Sequence, residues 1–396
     1  MNDRTLIIWG AGNFGRAAFT YYSSNYKNIF YVDSNSQKWG DRLNGAVICN
    51  PGELDFSGCD VVIASKHNVK EIEGELRNHK GVHSISLFTV NVENLVDNAG
   101  EATGEETAPE KGFVVNFSGG FGNQLFEYAF LRNLLTKSEN TYACISDCGQ
   151  LGSRDFEMNK AFKNLKLKLV PKGFEESFLK KAAEHSYKGK FVIYSEDMAR
   201  GITKKADDSI IDAEGGVYSG TFQTSHWADK ARKELLSDLR FNENKEPGLA
   251  RMIKAVWEDE YAVSIHFRRG DYLTERNKYS YGGICTEDYY RAAMERITYK
   301  IKTPHFYVFS DDIEYVKENY DIPNAVFIER NMFDDYEDWY DMCLMSKCRN
   351  NIIANSTFSW WGAWLNAHKD KIVIAPEKWI NTYSYEDIYP DNWIRM

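Results

Sequence analysis

The stretch Ser264-Ile265-His266-Phe267-Arg268-Arg269-Gly270-Asp271-Tyr272 begins within an apolar, β-branched run at positions 261–265. Such a run predicts a buried strand, so two adjacent arginines come at its carboxyl end. Open α/β sheets bind their ligands at that edge, and each planar guanidinium can donate two parallel hydrogen bonds to an anionic group such as a diphosphate. Gly270 permits a sharp turn, and Asp271 is placed to hold one guanidinium. For the motif alone, a surface loop with Arg–Asp ion pairs is an equally good interpretation.

Two further blocks also follow apolar runs. The first is Phe117-Ser118-Gly119-Gly120-Phe121-Gly122-Asn123-Gln124-Leu125-Phe126-Glu127-Tyr128-Ala129. Its glycines let a ligand approach the backbone and present amide N–H groups at a helix N-terminus, although a tight turn without a ligand is the alternative. The second is Asn355-Ser356-Thr357-Phe358-Ser359-Trp360-Trp361-Gly362-Ala363-Trp364-Leu365, whose hydroxyls and amides at a strand-to-helix turn are suited to a phosphate.

Together, the three blocks resemble glycosyltransferase family 11, the α1,2-fucosyltransferases. The pattern His-x-Arg-Arg-x-Asp resembles the signature peptide shared by α1,2-, α1,6- and protein O-fucosyltransferases, and the other two blocks resemble the α1,2 branch in particular. The resemblance covers residues 111–396. The chain departs from the family at Phe121 and Glu127, where leucine and glutamine are usual. We expect Glu127 to place a charge near the outer face of its helix.

The resemblance implies an inverting, metal-independent transfer of L-fucose from GDP-β-L-fucose to a galactose 2-hydroxyl of a bacterial surface glycan. Arg268 and Arg269 would stabilise charge on the leaving diphosphate, His266 would lie against the nucleotide, and Asn123 would orient fucose or phosphate. Asp271 would orient an arginine. The other donor-binding residues that we expect are Asp341 and Ser346 near the guanine, Ser356 and Thr357 near the phosphates, and Gly120, Gly122, Asp311 and Asn355.

Direct displacement also requires a base near the incoming hydroxyl, or a very loose transition state. Asp271, Glu275 and Glu287 are candidates, and the sequence does not choose among them. Glu287 is favoured in the first turn of a helix that Thr286 caps. The segment 218–227 is similar to the family's Gly-x-x-Gln-Ser segment and is a candidate acceptor-facing loop.

The first ninety residues predict a small Rossmann-like domain. A strand at 5–9 leads into Gly10-Ala11-Gly12-Asn13-Phe14-Gly15 and a helical pattern, and the next strand ends in Asp33. In this context Gly10, Gly12 and Gly15 would form a phosphate-binding turn, and Asp33 would bind a ribose hydroxyl. The segment also resembles N-terminal modules of bacterial sugar-modifying enzymes. Bound NAD or a sugar nucleotide, a docking role, and an empty crevice all stay open.

The predicted fold class is α/β, with a small Rossmann-like domain at 1–90, an acidic flexible linker at 91–111 and two further halves. Residues 112–240 would form the acceptor-side Rossmann-like half and residues 241–396 the GDP-sugar-binding half. Strands and helices that alternate around two ligand-binding edges predict that these halves face each other across a cleft. The resemblance implies the arrangement called GT-B.

Composition narrows the functional classes further. The net charge of -10 and the pI near 5.5 argue against a nucleic-acid partner. No apolar run approaches the ~20 residues that span a bilayer, so we expect a cytoplasmic protein, with peripheral contact to the inner membrane and its lipid-linked glycans left open. The seven irregularly spaced cysteines predict buried thiols rather than a zinc site. Transfer is expected to need no cofactor.

Two other functional classes compete with the transferase. An NAD-dependent oxidoreductase led by the first domain would require a catalytic pair such as Tyr-x-x-x-Lys close behind it, and none is visible there. A sugar-nucleotide-binding protein without catalysis stays open, as does a fucosyltransferase of different linkage.

Overall fold

The computed structural model describes most of the chain, namely residues 2–11, 15, 18–19, 22–23, 26–64, 72, 75–76, 82–87, 111–145, 147–149, 154–170, 174, 177–178, 181, 191–195, 203–382 and 384–396. Parallel sheets alternate with helices along it, so the α/β class is confirmed. The predicted linker at 91–111 lies almost entirely outside the described residues.

The first sheet has the order β3-β4-β2-β1-β5-β6 and is parallel except for the pair β3–β4. Its strands are β1 (Asn2–Trp9), β2 (Tyr26–Val32), β3 (Arg42–Leu43), β4 (Ala46–Cys49), β5 (Asp60–Ile63) and β6 (Ser84–Leu87). Strand β1, inside the sheet, is apolar on both faces, because Leu6 and Ile8 pack into one core and Ile7 and Trp9 pack into another.

The second sheet is parallel, with the order β8-β7-β11-β9. Its strands are β7 (Gly112–Asn116), β8 (Thr141–Cys144), β9 (Phe191–Ser195) and β11 (Gly215–Ser219), and the helices of this half are α1 (Phe121–Leu135), α2 (Met158–Ala161), α3 (Ser225–Lys230) and α4 (Arg232–Asp238). Asn116 lies opposite Ser219, so the glycine block and the residues after β11 leave the sheet side by side.

The third sheet has the order β14-β13-β12-β15-β16-β18 and is also parallel. Its strands are β12 (Ala262–Phe267), β13 (His305–Ser310), β14 (Ala325–Phe327), β15 (Asn350–Ile352), β16 (Val373–Ala375) and β18 (Ile394–Arg395). Its helices are α5 (Pro247–Glu258), α6 (Glu275–Tyr281), α7 (Glu287–Ile301), α8 (Ile313–Asn319), α9 (Trp339–Lys347) and α10 (Thr357–Trp364). β18, at the end of the chain, pairs with β16 and completes this sheet.

One continuous core joins the second and third sheets. The Phe126 ring of α1 lies 4.6 Å from Trp360 and 5.1 Å from Trp361 of α10, and large buried aromatic contacts of this kind dominate core energetics. The C-terminal segment also returns to the first of these halves, where β17 (Ser384–Tyr385) pairs with β10 (Thr203–Lys204). Within the described residues, no helix is both long enough and apolar enough to cross a membrane.

Candidate functional site

A cavity of about 720 Å³ lies where the carboxyl ends of the second and third sheets meet. Its volume is in the range of small-molecule sites. Most residues singled out from the sequence line it, namely Gly120, Gly122, Asn123, His266, Arg268, Asp271, Asp311, Asp341, Asn355, Ser356 and Thr357. Arg269 and Ser346 lie outside this lining.

Arg268 is held at the cavity wall by two carboxylates. Its Nη2 lies 2.7 Å from Asp271 Oδ1 and its Nη1 lies 3.1 Å from Asp311 Oδ2. The register of the sheet explains this, because Phe267 lies opposite Ser310 and the next residue of each strand leaves the edge beside the other. Two ion pairs fix the direction of the guanidinium before any ligand arrives.

Arg269 takes a different course from its neighbour. Its Nε donates to Asp312 Oδ2 at 3.1 Å, and its guanidinium carbon lies 3.1 Å above the centre of the Tyr315 ring on α8. Its backbone N–H donates to Asp311 at 2.9 Å. Asp311 and Asp312 therefore both contact arginines. Among the residues that the structure describes, no group of three His, Cys, Asp or Glu side chains is arranged to hold a metal ion.

His266 presents a neutral imidazole to the cavity. Burial lowers the pKa of His266 to about 3, an effect that Arg268 reinforces and Asp311 opposes. Its Nδ1 is buried and has no hydrogen-bond partner. Since such a group is costly to leave unpaired, this nitrogen is suited to contact a bound ligand.

Asp341 lies beyond the end of β14, on α9. Burial raises the pKa of Asp341 to about 7, and a hydrogen bond from Tyr336 opposes that rise. Its Oδ1 is buried and unpartnered, so it can accept from a ligand N–H. Ser346 is five positions further along the same helix, which turns it by about 140°. It is buried and donates to the Cys343 carbonyl at 2.6 Å.

The glycine block and the Asn-Ser-Thr block meet across the cavity. A Cβ at Gly122 would lie 2.5 Å from Thr357 Oγ1, at the N-terminus of α10, whereas a Cβ at Gly120 would find its nearest atom, Arg154 Cδ, at 3.9 Å. Arg154 extends from this half to the other, with Nη1 2.8 Å from Asp338 Oδ2. The two halves are therefore in close contact at the site.

Asn123 belongs to a chain of hydrogen bonds that includes two residues the sequence analysis did not single out. Gln223 Nε2 donates to Asn123 Oδ1 at 3.1 Å, and Trp379 Nε1 donates to Gln223 Oε1 at 2.8 Å. The predicted acceptor-facing segment gave a signal for Gln223. No local pattern in the sequence indicated Trp379, because its partner is far away along the chain.

Asn355 lines the cavity but is already engaged. Its Nδ2 donates to the carbonyls of Tyr281 at 3.3 Å and Trp379 at 3.2 Å, and its Oδ1 accepts from Cys285 Sγ at 3.4 Å. Its contacts therefore fix the end of α6 and the segment after β16 relative to each other.

Glu127 is not on an outer face, which corrects the expectation from the sequence. It is fully buried, and its two carboxylate oxygens accept from the Ser118 backbone N–H at 3.1 and 2.9 Å. The reason is that α1 is enclosed on nearly all sides, with 12 of its 15 residues buried. Glu127 thus stabilises the glycine turn from beneath.

The three candidate bases are in different surroundings. All three side chains are exposed, but Asp271 lines the cavity, whereas Glu275 and Glu287 are not among its lining residues. Glu287 lies in the first turn of α7, where Thr286 Oγ1 accepts from the Tyr289 N–H at 3.3 Å. The predicted N-cap is therefore confirmed.

At the first sheet, Gly10 and Asp33 leave neighbouring strands together, because Trp9 lies opposite Val32. Gly10 has a φ of 119°, and a Cβ at Gly15 would lie 1.9 Å from the carbonyl oxygen of Gly10. Asp33 Oδ2 accepts from Ala11 N–H at 2.9 Å and from Lys38 Nζ at 2.8 Å. Gly12 lies outside the described residues, and nucleotide binding at this turn stays a prediction.

Two parts of the chain match models of known protein families. Residues 237–396 match the family model Glycosyl transferase family 11. The resemblance to glycosyltransferase family 11 is confirmed. The match to this family supports a transferase activity for the chain. Residues 2–88 match a second model, C2185-like, N-terminal.

Two bacterial relatives extend over most of the chain, and a human relative over less than half of it. The O-antigen biosynthesis glycosyltransferase WbnK of Escherichia coli is 29% identical over 298 residues, which cover 70% of this chain and 98% of that protein. An alpha-1,2-colitosyltransferase of Escherichia coli is 28% identical over 72% of this chain and 98% of its own length. Human galactoside alpha-(1,2)-fucosyltransferase 1 is 28% identical over 42% of this chain and 46% of its own length.

Proposed function

We propose that this chain transfers L-fucose from GDP-β-L-fucose to the 2-hydroxyl of a galactoside in a bacterial surface glycan, with inversion and without a metal. The observation that carries the proposal is Arg268, fixed by two carboxylates in a cavity that the glycine turn and the N-terminus of α10 also line. The names of the relatives support the linkage and the glycan context.

The order of the strands indicates how GDP-fucose would lie along the edge of the third sheet. Asp341 is close to Tyr336 and Arg330, which follow β14, whereas Arg268 follows β12, and Ser356 and Thr357 follow β15. Guanine carries two adjacent N–H groups, and the Asp341 carboxylate would accept a hydrogen bond from each of them. Arg268 and the backbone N–H groups at the start of α10 would then bind the diphosphate, and the sugar would lie towards Asn123.

The reaction breaks the bond between the anomeric carbon and the β-phosphate oxygen, whose electrons pass to the departing GDP. Arg268 stabilises that developing charge, which is where a positioned cation contributes most to the rate. The acceptor oxygen bonds to the opposite face of the anomeric carbon, and its proton passes to a base. We assign that role to Asp271, because it alone of the three candidates lines the cavity.

The remaining parts of the proposal concern the rest of the molecule. The second and third sheets would form a GT-B pair, and the first sheet a Rossmann-like module that binds NAD or a sugar nucleotide or docks to a partner. Transfer would take place in the cytoplasm without a cofactor, on a galactose-containing acceptor that lipid-linked glycans at the inner membrane supply.

A second donor is favoured by one specific relative, the alpha-1,2-colitosyltransferase. Colitose is fucose without its 3-hydroxyl, so GDP-colitose and GDP-fucose differ by one hydrogen-bonding group. The test is to incubate the purified protein with each donor and a panel of β-galactosides, and to identify the products by mass spectrometry. Preference for GDP-fucose supports the proposal. Preference for GDP-colitose would replace the donor, and binding of both without transfer would favour a protein that binds but does not catalyse.

A further inference from the structure

We infer that Gln223 and Trp379, with Tyr281 beside them, form the acceptor subsite of this cavity and bind a pyranoside through an amide and aromatic rings. This inference rests on the proposed function, because it identifies which end of the same cavity receives the second substrate.

The strand order limits where the acceptor can lie. The proposed contacts to guanine and to the phosphates lie at the ends of β14, β13, β12 and β15. The next strand along this edge of the sheet is β16. Trp379 follows that strand and lines the cavity. Neighbouring strands are about 4.8 Å apart, so the segment after β16 is near the phosphate-binding turn yet beyond the space assigned to the nucleotide.

The hydrogen bonds link this end of the cavity to the reacting sugar. Gln223 contacts Asn123 on one side and Trp379 on the other. The Trp379 carbonyl and the Tyr281 carbonyl both accept from Asn355, and the Tyr281 ring stacks on Tyr272 with centroids 4.7 Å apart. An acceptor sugar against these groups would therefore lie next to a donor sugar at Asn123.

The backbone before Gln223 is strained. Phe222 has a φ of 45°, in the left-handed region that bulky side chains rarely adopt. It is buried, and its ring stacks on Phe130 with centroids 3.9 Å apart and an interplanar angle of 3°. Strained backbone conformations of this kind concentrate at ligand sites. Here it turns the chain after β11 so that Gln223 enters the cavity.

The chemistry of the wall fits a sugar. After its two contacts, the Gln223 amide retains one N–H and acceptor capacity on its oxygen, which match a hydroxyl that both donates and accepts. Tyr281 and Trp379 supply ring edges and faces for the apolar C–H groups of a pyranose. Gln223 and Trp379 lie on opposite halves of the molecule, so both halves would contact the acceptor.

The test uses saturation-transfer NMR of methyl β-D-galactopyranoside in the presence of the full chain and GDP. Trp379→Phe removes the N–H that holds Gln223, Gln223→Leu removes the amide, and Trp393→Phe is the matched control, since Trp393 is buried nearby but does not line the cavity. Loss of one hydrogen bond predicts that the galactoside Kd, obtained by titrating the signal, rises by about tenfold in the first two variants, with GDP affinity retained. The control should resemble the unchanged protein. Gln223→Leu carries the test alone if Trp379→Phe does not fold.

The other outcomes are distinct. An undiminished galactoside signal in both variants would overturn the inference, as would an unchanged protein that binds GDP but gives no galactoside signal. Failure of the unchanged protein to bind GDP at all would overturn the proposed function itself, and the acceptor subsite with it.

Discussion

Gly122 of α1 lies directly against Thr357 of α10, so that a Cβ on the glycine would come within 2.5 Å of Thr357 Oγ1 and 2.6 Å of its carbonyl carbon. The contact joins two sequence blocks that are far apart in the chain. It also sets how closely the two halves of the cavity approach, because α10 is anchored behind it by Trp360 and Trp361 against Phe126.

Gly122→Ala is expected to destabilise the protein by about 1–3 kcal/mol, the usual cost of overpacking. The clash involves backbone atoms of α10, which cannot move aside as a flexible side chain would. Gly120→Ala is the control, since its Cβ would have 3.9 Å of space and its φ of -83° suits alanine. Thermal unfolding measures both. Equal unfolding temperatures for the two variants would contradict this account of the interface.

Arg268→Lys is expected to lower kcat by about 10²–10³, the effect of removing a positioned donor to developing charge. Arg269→Lys should reduce turnover much less and act through stability, because Arg269 packs on Tyr315 and Asp312 outside the cavity lining. Steady-state kinetics and circular dichroism on both variants check this. A folded Arg269→Lys protein that loses more turnover than Arg268→Lys would reverse the assignment.

GDP affinity is expected to fall as the pH is lowered through 7. Burial raises the pKa of the free Asp341 carboxyl to about 7, and only the ionised form accepts both guanine N–H groups. Binding must therefore remove a proton below that pH, which weakens affinity by up to about tenfold per pH unit. His266 does not contribute in this range, since burial keeps its pKa at about 3.

Asp341→Asn is the control for that pH dependence. The variant should bind GDP more weakly at pH 8 and lose less affinity between pH 8 and pH 7 than the unchanged protein, as isothermal titration calorimetry would measure. A flat profile in the unchanged protein would remove Asp341 from the guanine site.

Asp271→Asn is expected to reduce transfer to a galactoside by about 10²–10⁴, the range for loss of a general base. Glu275→Gln and Glu287→Gln serve as matched controls, since both side chains are exposed and outside the cavity lining. Initial rates at saturating donor give the comparison. If Asp271→Asn instead raised the acceptor KM alone, the carboxylate would be a binding group rather than the base.

The sequence predicted which segments meet, and the reason is general. The carboxyl ends of parallel strands share one edge, so Arg268, the glycine turn and Ser356–Thr357 could be brought together from their positions after apolar runs. The α/β class follows from the same alternation. Thr286 was recognisable as a cap because capping depends on residues within one helical turn.

Other features depend on contacts between distant segments, which local pattern does not encode. The two neighbouring arginines look alike in the sequence. In the fold, Asp271 and Asp311 hold Arg268 at the cavity, whereas Arg269 packs on Tyr315 and pairs with Asp312. The burial of Glu127 depends on how the rest of the fold encloses α1. The hydrogen bond between Trp379 and Gln223 joins positions 156 residues apart.

The central claim is tested most directly by one product analysis. The purified chain is incubated in EDTA with GDP-fucose and either methyl β-D-galactopyranoside or its 2-deoxy analogue, and the products are examined by mass spectrometry and NMR. The account predicts an α-linked fucosyl galactoside from the first acceptor and no transfer to the second. Fucosylation of the 2-deoxy analogue, or activity that appears only when a divalent metal is restored, would contradict it.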